Sequence, residues 1–153
     1  MISLKPFDRT TFDSFFENVI ELYAMESISA GRWDTEEALR ESRKANEELL
    51  PNKENTEGHY LYQVVANEKP VGYIWAGSID PKKKEAFIFA LEIYEEERGK
   101  GYGKEAMNLI AEKMKGIGFS SIRLHVFEHS KIAISLYEKL GYATVSRLMR
   151  KEL

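Results

Sequence analysis

From Thr10 to about Met25 the residues Phe12, Phe15, Phe16, Val19, Ile20, Leu22 and Tyr23 recur at helical spacing, which predicts a helix with an aromatic-rich face. Ahead of it, Ile2 and Leu4 flank Ser3 in an alternation that Pro6 stops, so a short strand opens the chain and Asp8 is placed to cap the helix. Past Gly31, Asp34-Thr-Glu-Glu37 supplies an N-cap and first-turn acids for a second helix that runs to Leu49-Leu50 before Pro51. The charged face of this helix, Glu36, Arg40, Arg43, Lys44 and Glu47, reads as a solvated surface with i,i+4 pairs. Residues 51–58 read as a loop.

The period then changes. Tyr60 to Ala66 and Val71 to Ile79 are strand-like and form a hairpin across a four-residue connection, Asn67-Glu-Lys-Pro70. After the turn at Pro81-Lys-Lys-Lys84, Ala86 to Tyr94 is apolar almost throughout, as a strand covered on both faces would be, with Glu92 as the interruption. Gly99, Gly101 and Gly103 break this strand, and a helix through Ala106, Leu109, Ile110 and Met114 ends at Gly116 and Gly118. Ile122 to Phe127 is a further strand, Ser130 is placed to cap a helix through Leu140, and Gly141 precedes a final strand, Ala143 to Met149. The order is βααβββαβαβ, without repeats or a linker.

Composition narrows the class. A chain of 153 residues with 43% hydrophobic and 31% charged residues suits one folded domain, 1–153. The formal charge of -3 provides no large basic field for a nucleic acid and only weakly favours a cationic substrate. Without cysteine the chain has no disulfide, thiolate metal site or thiol nucleophile. The N-terminus lacks a signal pattern and no stretch approaches the ~18 apolar residues of a membrane helix, so a cytoplasmic protein is expected.

Strand, glycine-rich turn and helix in succession make an anion site, because glycine lets the backbone approach and the helix start aims unpaired amides at phosphate oxygens. The Gly99-Lys-Gly-Tyr-Gly103 spacing is neither Gly-x-Gly-x-x-Gly nor the P-loop, which needs Gly-Lys followed by Ser or Thr. His125-Val-Phe-Glu128-His129 matches an inverted zinc-protease string, but on a strand residues four apart lie ~13 Å from each other, too far to share a metal. No metal is expected.

Ile93-Tyr-Glu-Glu-Glu-Arg98-Gly-Lys-Gly101-Tyr-Gly103 resembles the cofactor signature of the GNAT superfamily of acetyl-CoA-dependent N-acetyltransferases, departing at Glu95 where proline is common. His129-Ser130-Lys-Ile-Ala133-Ile-Ser-Leu136-Tyr137-Glu-Lys-Leu-Gly141-Tyr142 is similar to the family's second segment, with Ser130 in place of asparagine. The resemblance implies an α/β (α+β) GNAT fold: a mixed, largely antiparallel sheet of six to seven strands flanked by four helices, with a parallel pair splayed open at the cofactor. It also implies that the amides of Gly99, Lys100, Gly101, Tyr102 and Gly103 hold the pyrophosphate of acetyl-CoA. Arg98 and Lys104 would add charge, Ile93 and the Tyr94 backbone would pair with the pantetheine arm, and Ser130 would lie beside it.

N-acetylation needs a neutral amine, a polarised thioester carbonyl and a proton for the departing thiolate. The resemblance assigns that proton to Tyr137. For the base, Glu92 stands alone on an apolar strand; Glu85, on the family's pattern of a strand glutamate acting through water, is the rival, and an amine that arrives neutral needs neither. Trp33, in the loop between the first two helices, is the candidate substrate contact, while Tyr60, Tyr62, Tyr73 and Trp75 read as core. A small-molecule or peptide primary amine is the expected acceptor. The readings set against this are a non-catalytic coenzyme A-binding regulatory module and a protein N-terminal or lysine acetyltransferase. The final strand is suited to exchange or to pair at an edge, which would make a homodimer.

Overall fold

The computed structural model describes residues 1–153. Strand β1 (Ile2–Pro6) leads into α1 (Arg9–Ser29) and α2 (Thr35–Leu49). Asp8 and Asp34 each close a capping box: Asp8 accepts from the Thr10 and Thr11 amides, and Asp34 accepts from the Glu37 amide, with Thr11 and Glu37 reaching back. Strands β2 (His59–Ala66), β3 (Lys69–Ser78) and β4 (Glu85–Ile93) come next, then α3 (Tyr102–Ile117), β5 (Ser121–Leu124) and α4 (Lys131–Lys139). The five strands lie in chain order, antiparallel except for the parallel β4–β5 pair.

Helices sit on both faces of the sheet. On one face α3 brings Ala106, Met107, Ile110 and Met114 against Val64, Val71, Ile74, Ala76, Ala86 and Ile88, all buried. Fully burying a side chain of this kind stabilises by roughly 1.5–3 kcal/mol, so this helix is fixed tightly to the sheet. On the other face Phe12, Phe15 and Val19 of α1 pack on Leu61, Tyr73 and Trp75.

Three expectations are corrected. The β2–β3 hairpin closes through two residues, Asn67 and Glu68, both at positive φ (51° and 65°), because such a turn matches the twist of the strands; Pro70 falls inside β3, opposite Val65 at a register shift. The sheet has five strands, since Ala143 to Met149 forms none. Ser130 occupies the N-cap position of α4, but its hydroxyl makes no capping bond. No helix is long and apolar enough to cross a membrane.

Candidate active site

The site is built where β4 and β5 part. They pair from Glu85↔Ser121 to Ile88↔Leu124, after which β4 runs on to Ile93 with no partner on that side. A β-bulge sits at the parting: Ile88 faces Ala76 and Ala90 faces Trp75, leaving Phe89 unopposed. A bulge bends its strand and re-aims the side chains beyond it. Before it, Ala86 and Ile88 face α3; after it, Phe89 and Ala90 both join the α1 layer. Glu92, opposite Tyr73, is thereby carried to the α1 side, while Leu91 and Ile93 pack towards α3. Without the extra residue, Glu92 would point into the α3 core.

Beyond β4 a single 3-10 turn, Glu95–Glu97, leads to the glycine loop, where Gly99 and Gly101 take left-handed φ values of 79° and 84°. Gly101 is the residue before α3, and its carbonyl receives the Glu105 amide. From Gly99 to Lys104 no backbone amide has an acceptor within the protein. Six consecutive donors at a helix start, two flanking glycines in left-handed conformations, and no internal partner make an anion cradle. At Gly103 an added methyl would meet Leu136 at 3.6 Å and Ile93 at 3.8 Å, so the loop, the end of β4 and α4 converge there.

The side chains of the loop are deployed differently from expectation. Arg98 donates from Nη2 to Glu92 and from Nε to the Ile93 carbonyl, and Lys100 pairs with the buried Glu97, which also holds Lys69. Both lysines hold the Glu97 carboxyl below its usual range, Lys69 most. Lys104 alone of the loop cations makes no ion pair or hydrogen bond within the chain, and it is exposed. Tyr94 turns its backbone to β3 and to the 3-10 turn: its amide donates to the Val71 carbonyl and its carbonyl accepts from Glu97.

Acids and phenols gather around the end of β4, Tyr73 and Tyr94 in the α1 layer and Tyr137 and Tyr142 against the α3 layer. Burial, then Glu26 and Tyr142, pushes the Tyr137 phenol up to about 12. Burial raises Tyr94, with Glu92 and Glu96 adding, and burial raises Tyr73, with Glu92 adding most among its neighbours. The Tyr73 hydroxyl donates to Asn18 at 2.6 Å, and Asn18, Glu21 and Tyr94 line a depression between α1 and the end of β4. Glu26 retains exposed surface, yet the surrounding protein strips water from its carboxyl and raises its pKa; His129 opposes the rise and Glu92 adds to it. Sequence reasoning missed Glu26. No local signal marks it: the buried stripe Phe12, Phe15, Val19, Ala24 continues to Ser27, and Glu26 beside it is exposed.

One expected residue lies away from this cluster. Glu85 starts β4, about 23 Å of strand from Glu92, and its carboxylate pairs with Arg123 and Ser121. Trp33 packs edge-on to Tyr23 at 5.7 Å beneath the Arg32 guanidinium, in the α1–α2 connection. His125, Glu128 and His129 lie between β5 and α4, outside any helix.

The sequence model of the acetyltransferase (GNAT) family matches residues 19–142, which contain the splay, the cradle and Tyr137. The chain belongs to the GNAT acetyltransferase family. Two Bacillus subtilis relatives, each named as an uncharacterised N-acetyltransferase, share the full length of this GNAT chain. YdgE is 32% identical over 99% of this chain and 98% of its own, and YycN is 35% identical over 99% of both. The crystal structure of YycN superposes with a TM-score of 0.94 over 100% of this chain and 99% of that one. The Thermoplasma acidophilum PaiA N-acetyltransferase, solved in complex with coenzyme A, shares the GNAT fold at 20% identity, with a TM-score of 0.65 over 94% of this chain and 90% of that one. As a GNAT member the chain is an acetyltransferase of a family that uses acetyl-CoA.

Proposed function

We propose that this enzyme transfers an acetyl group from acetyl-CoA to a primary amine by direct attack within a ternary complex, in the cytoplasm. The observation that carries the reading is the run of six unpartnered amides from Gly99 to Lys104 at the mouth of the β4–β5 splay. A diphosphate would accept from these amides, with Lys104 adding charge, and the Ile93 edge of β4 would align the arm behind it. The coenzyme A bound to the Thermoplasma relative supports the same ligand for this chain.

The residues beyond the cradle then divide the chemistry. Glu92 and Glu26, on the α1 side, would attract an ammonium and take its proton, directly or through water, so that the amine attacks neutral. As the N–C bond forms and the C–S bond breaks, the Tyr137 phenol would donate its proton to the departing thiolate; its raised pKa keeps that proton in place at neutral pH. Arg98 bridges Glu92 to the Ile93 carbonyl, coupling the acidic side to the cofactor edge. The acids around the depression favour a cationic acceptor, a small polyamine-like or aminoglycoside-like amine, over an apolar one.

The test is a panel of amines and peptides with acetyl-CoA, monitored by free-thiol release, with coenzyme A binding measured separately by calorimetry. Acceptor-dependent thiol release is expected. Binding of coenzyme A without turnover on any acceptor would replace the proposal with a non-catalytic coenzyme A-binding module, and no binding at all would remove its basis.

A further inference from the structure

Of the charged residues of the chain Glu97 alone is buried, at 6% exposure, while Glu95 and Glu96 beside it are exposed. Withdrawing a carboxylate from water is costly unless partners replace the lost hydration. Here both oxygens are taken: Oε1 accepts from Lys69 Nζ at 2.7 Å and Oε2 from Lys100 Nζ at 2.9 Å. The bond to Lys69, then that to Lys100, holds the Glu97 carboxyl below its usual range, and Glu97 in turn raises both lysines, so the three stay charged through neutral pH. No step of the proposed acetyl transfer uses this group.

Lys69 opens β3 directly after the Asn67–Glu68 turn, and Lys100 stands between Gly99 and Gly101 in the cradle. Glu97 joins the two, and its own amide donates to the Tyr94 carbonyl at 2.8 Å, which ties it to the end of β4. The cradle has few other fastenings. Its amides have no internal acceptor, and a Cβ added at Gly99 or Gly101 would meet nothing within 4 Å, so packing confines neither glycine. Glycine samples positive and negative φ alike, so a loop built on it disperses widely once unfastened. Before Gly99 the loop is held by Arg98, on Glu92 and the Ile93 carbonyl; after Gly101 it is held by the first turn of α3, where the Glu105 amide meets the Gly101 carbonyl. Between the two left-handed glycines the bond from Lys100 to Glu97 is the fastening.

We infer that Glu97 is a positioning residue for the cofactor: held by Lys69 at the start of β3, it tethers Lys100 and so keeps the amides of the glycine loop converged on the diphosphate. The inference rests on acetyl-CoA being the ligand of the cradle. Two roles for Lys100 make opposite demands. If Lys100 served to meet the phosphates itself, an acid that binds it would weaken the site, and removing that acid would free two cations beside a polyanion and tighten binding. If Lys100 is a tether, removing the acid lets the loop disperse, and the ligand must then reorder it, which weakens binding. The geometry favours the tether, because both oxygens of Glu97 are committed and Lys104 already supplies an unpaired cation at the cradle. Lys69, which is no part of the loop, then matters to the cofactor as a residue within it would.

Calorimetry with coenzyme A on the wild type, Glu97→Gln, Lys69→Met and the double variant tests this. Glu97→Gln is expected to raise Kd roughly tenfold or more, the scale of one hydrogen bond to a charged group, although it removes a negative charge near a polyanion. Lys69→Met should also weaken binding, and the double variant should bind no more weakly than Glu97→Gln alone, because the groups act as one unit. Lys69→Arg, which keeps a cation within reach of Glu97, should restore affinity. The Lys69 side chain is 64% exposed, so its variants are expected to keep the wild-type circular dichroism. Tighter or unchanged binding in Glu97→Gln, additive losses in the double variant, or wild-type affinity in Lys69→Met would each overturn the inference and leave the cradle reading in place. A wild type that binds no coenzyme A would overturn both.

Discussion

A single inserted residue decides which face of the sheet Glu92 joins. Alternation along Ala86–Tyr94 correctly isolated Glu92 as the one carboxylate within an apolar strand, but period-two counting assigns it a face only if the strand is regular, and Phe89 makes it irregular. Glu26 escaped for another reason: helical period places Ser27 on the inward stripe and Glu26 beside it, and nothing local reveals that the end of α1 faces β4 and α4. These carboxyls and Tyr137 predict a pH profile. Glu26 is held above its ordinary value, so a rate that uses it as base is supported above that raised pKa and lost as pH falls through it. Glu26→Gln should remove or shift that acid limb of kcat/KM, measured by thiol release across pH. Tyr137 keeps its proton until near 12, so phenol ionisation should not shape the profile at neutral or mildly alkaline pH. Tyr137→Phe is expected to lower kcat by about 10²–10⁴-fold with KM largely kept, and an unchanged kcat would remove the acid role.

At the scale of elements, helix ends were the most legible features, because Asp8, Asp34 and Gly118 act through bonds and dihedrals that adjacent residues specify. The glycine loop was legible for the same reason. Its side-chain partners were not, since Glu97 meets Lys69 only after the hairpin folds back. Two substitutions separate the loop's conformation from its use. Gly101→Ala must hold a left-handed φ of 84°, which costs on the order of 1–2 kcal/mol and should lower both thermal stability and coenzyme A affinity. Gly103→Ala meets only ordinary contacts at 3.6 and 3.8 Å; its melting temperature should stay near wild type while affinity, read by calorimetry, drops tenfold or more through loss of close approach to the ligand. Equal affinity in Gly103→Ala would show that the ligand does not reach this part of the backbone.

For the molecule as a whole, element order could be read from the pattern of the chain, and the parallel pair and flanking helices from the family resemblance, whereas the strand expected at Ala143–Met149 did not form. Pattern gives a segment's preference for extension; whether it pairs depends on an edge being offered at the right distance, and β5 offers none that the same chain reaches. Global stability has one readable pH dependence. His59 is pushed below its ordinary value by burial, and its Nδ1 accepts from Trp75 Nε1 at 3.0 Å, so the folded chain favours the neutral ring. The unfolded chain then binds more protons as pH drops, and stability present above about 6.5 falls towards pH 5. Denaturant midpoints should show this decline, and His59→Gln, whose amide oxygen can still accept, should flatten it.

The peptide units at 99–104 leave a further mark, on variation rather than on rate. A ligand grasped through main-chain nitrogen is indifferent to what most side chains there happen to be. In a saturation library of that stretch, codons 99, 101 and 103 should stay glycine under selection for turnover, so a requirement for the absence of a side chain becomes the genetic signature of a grip made by the chain itself.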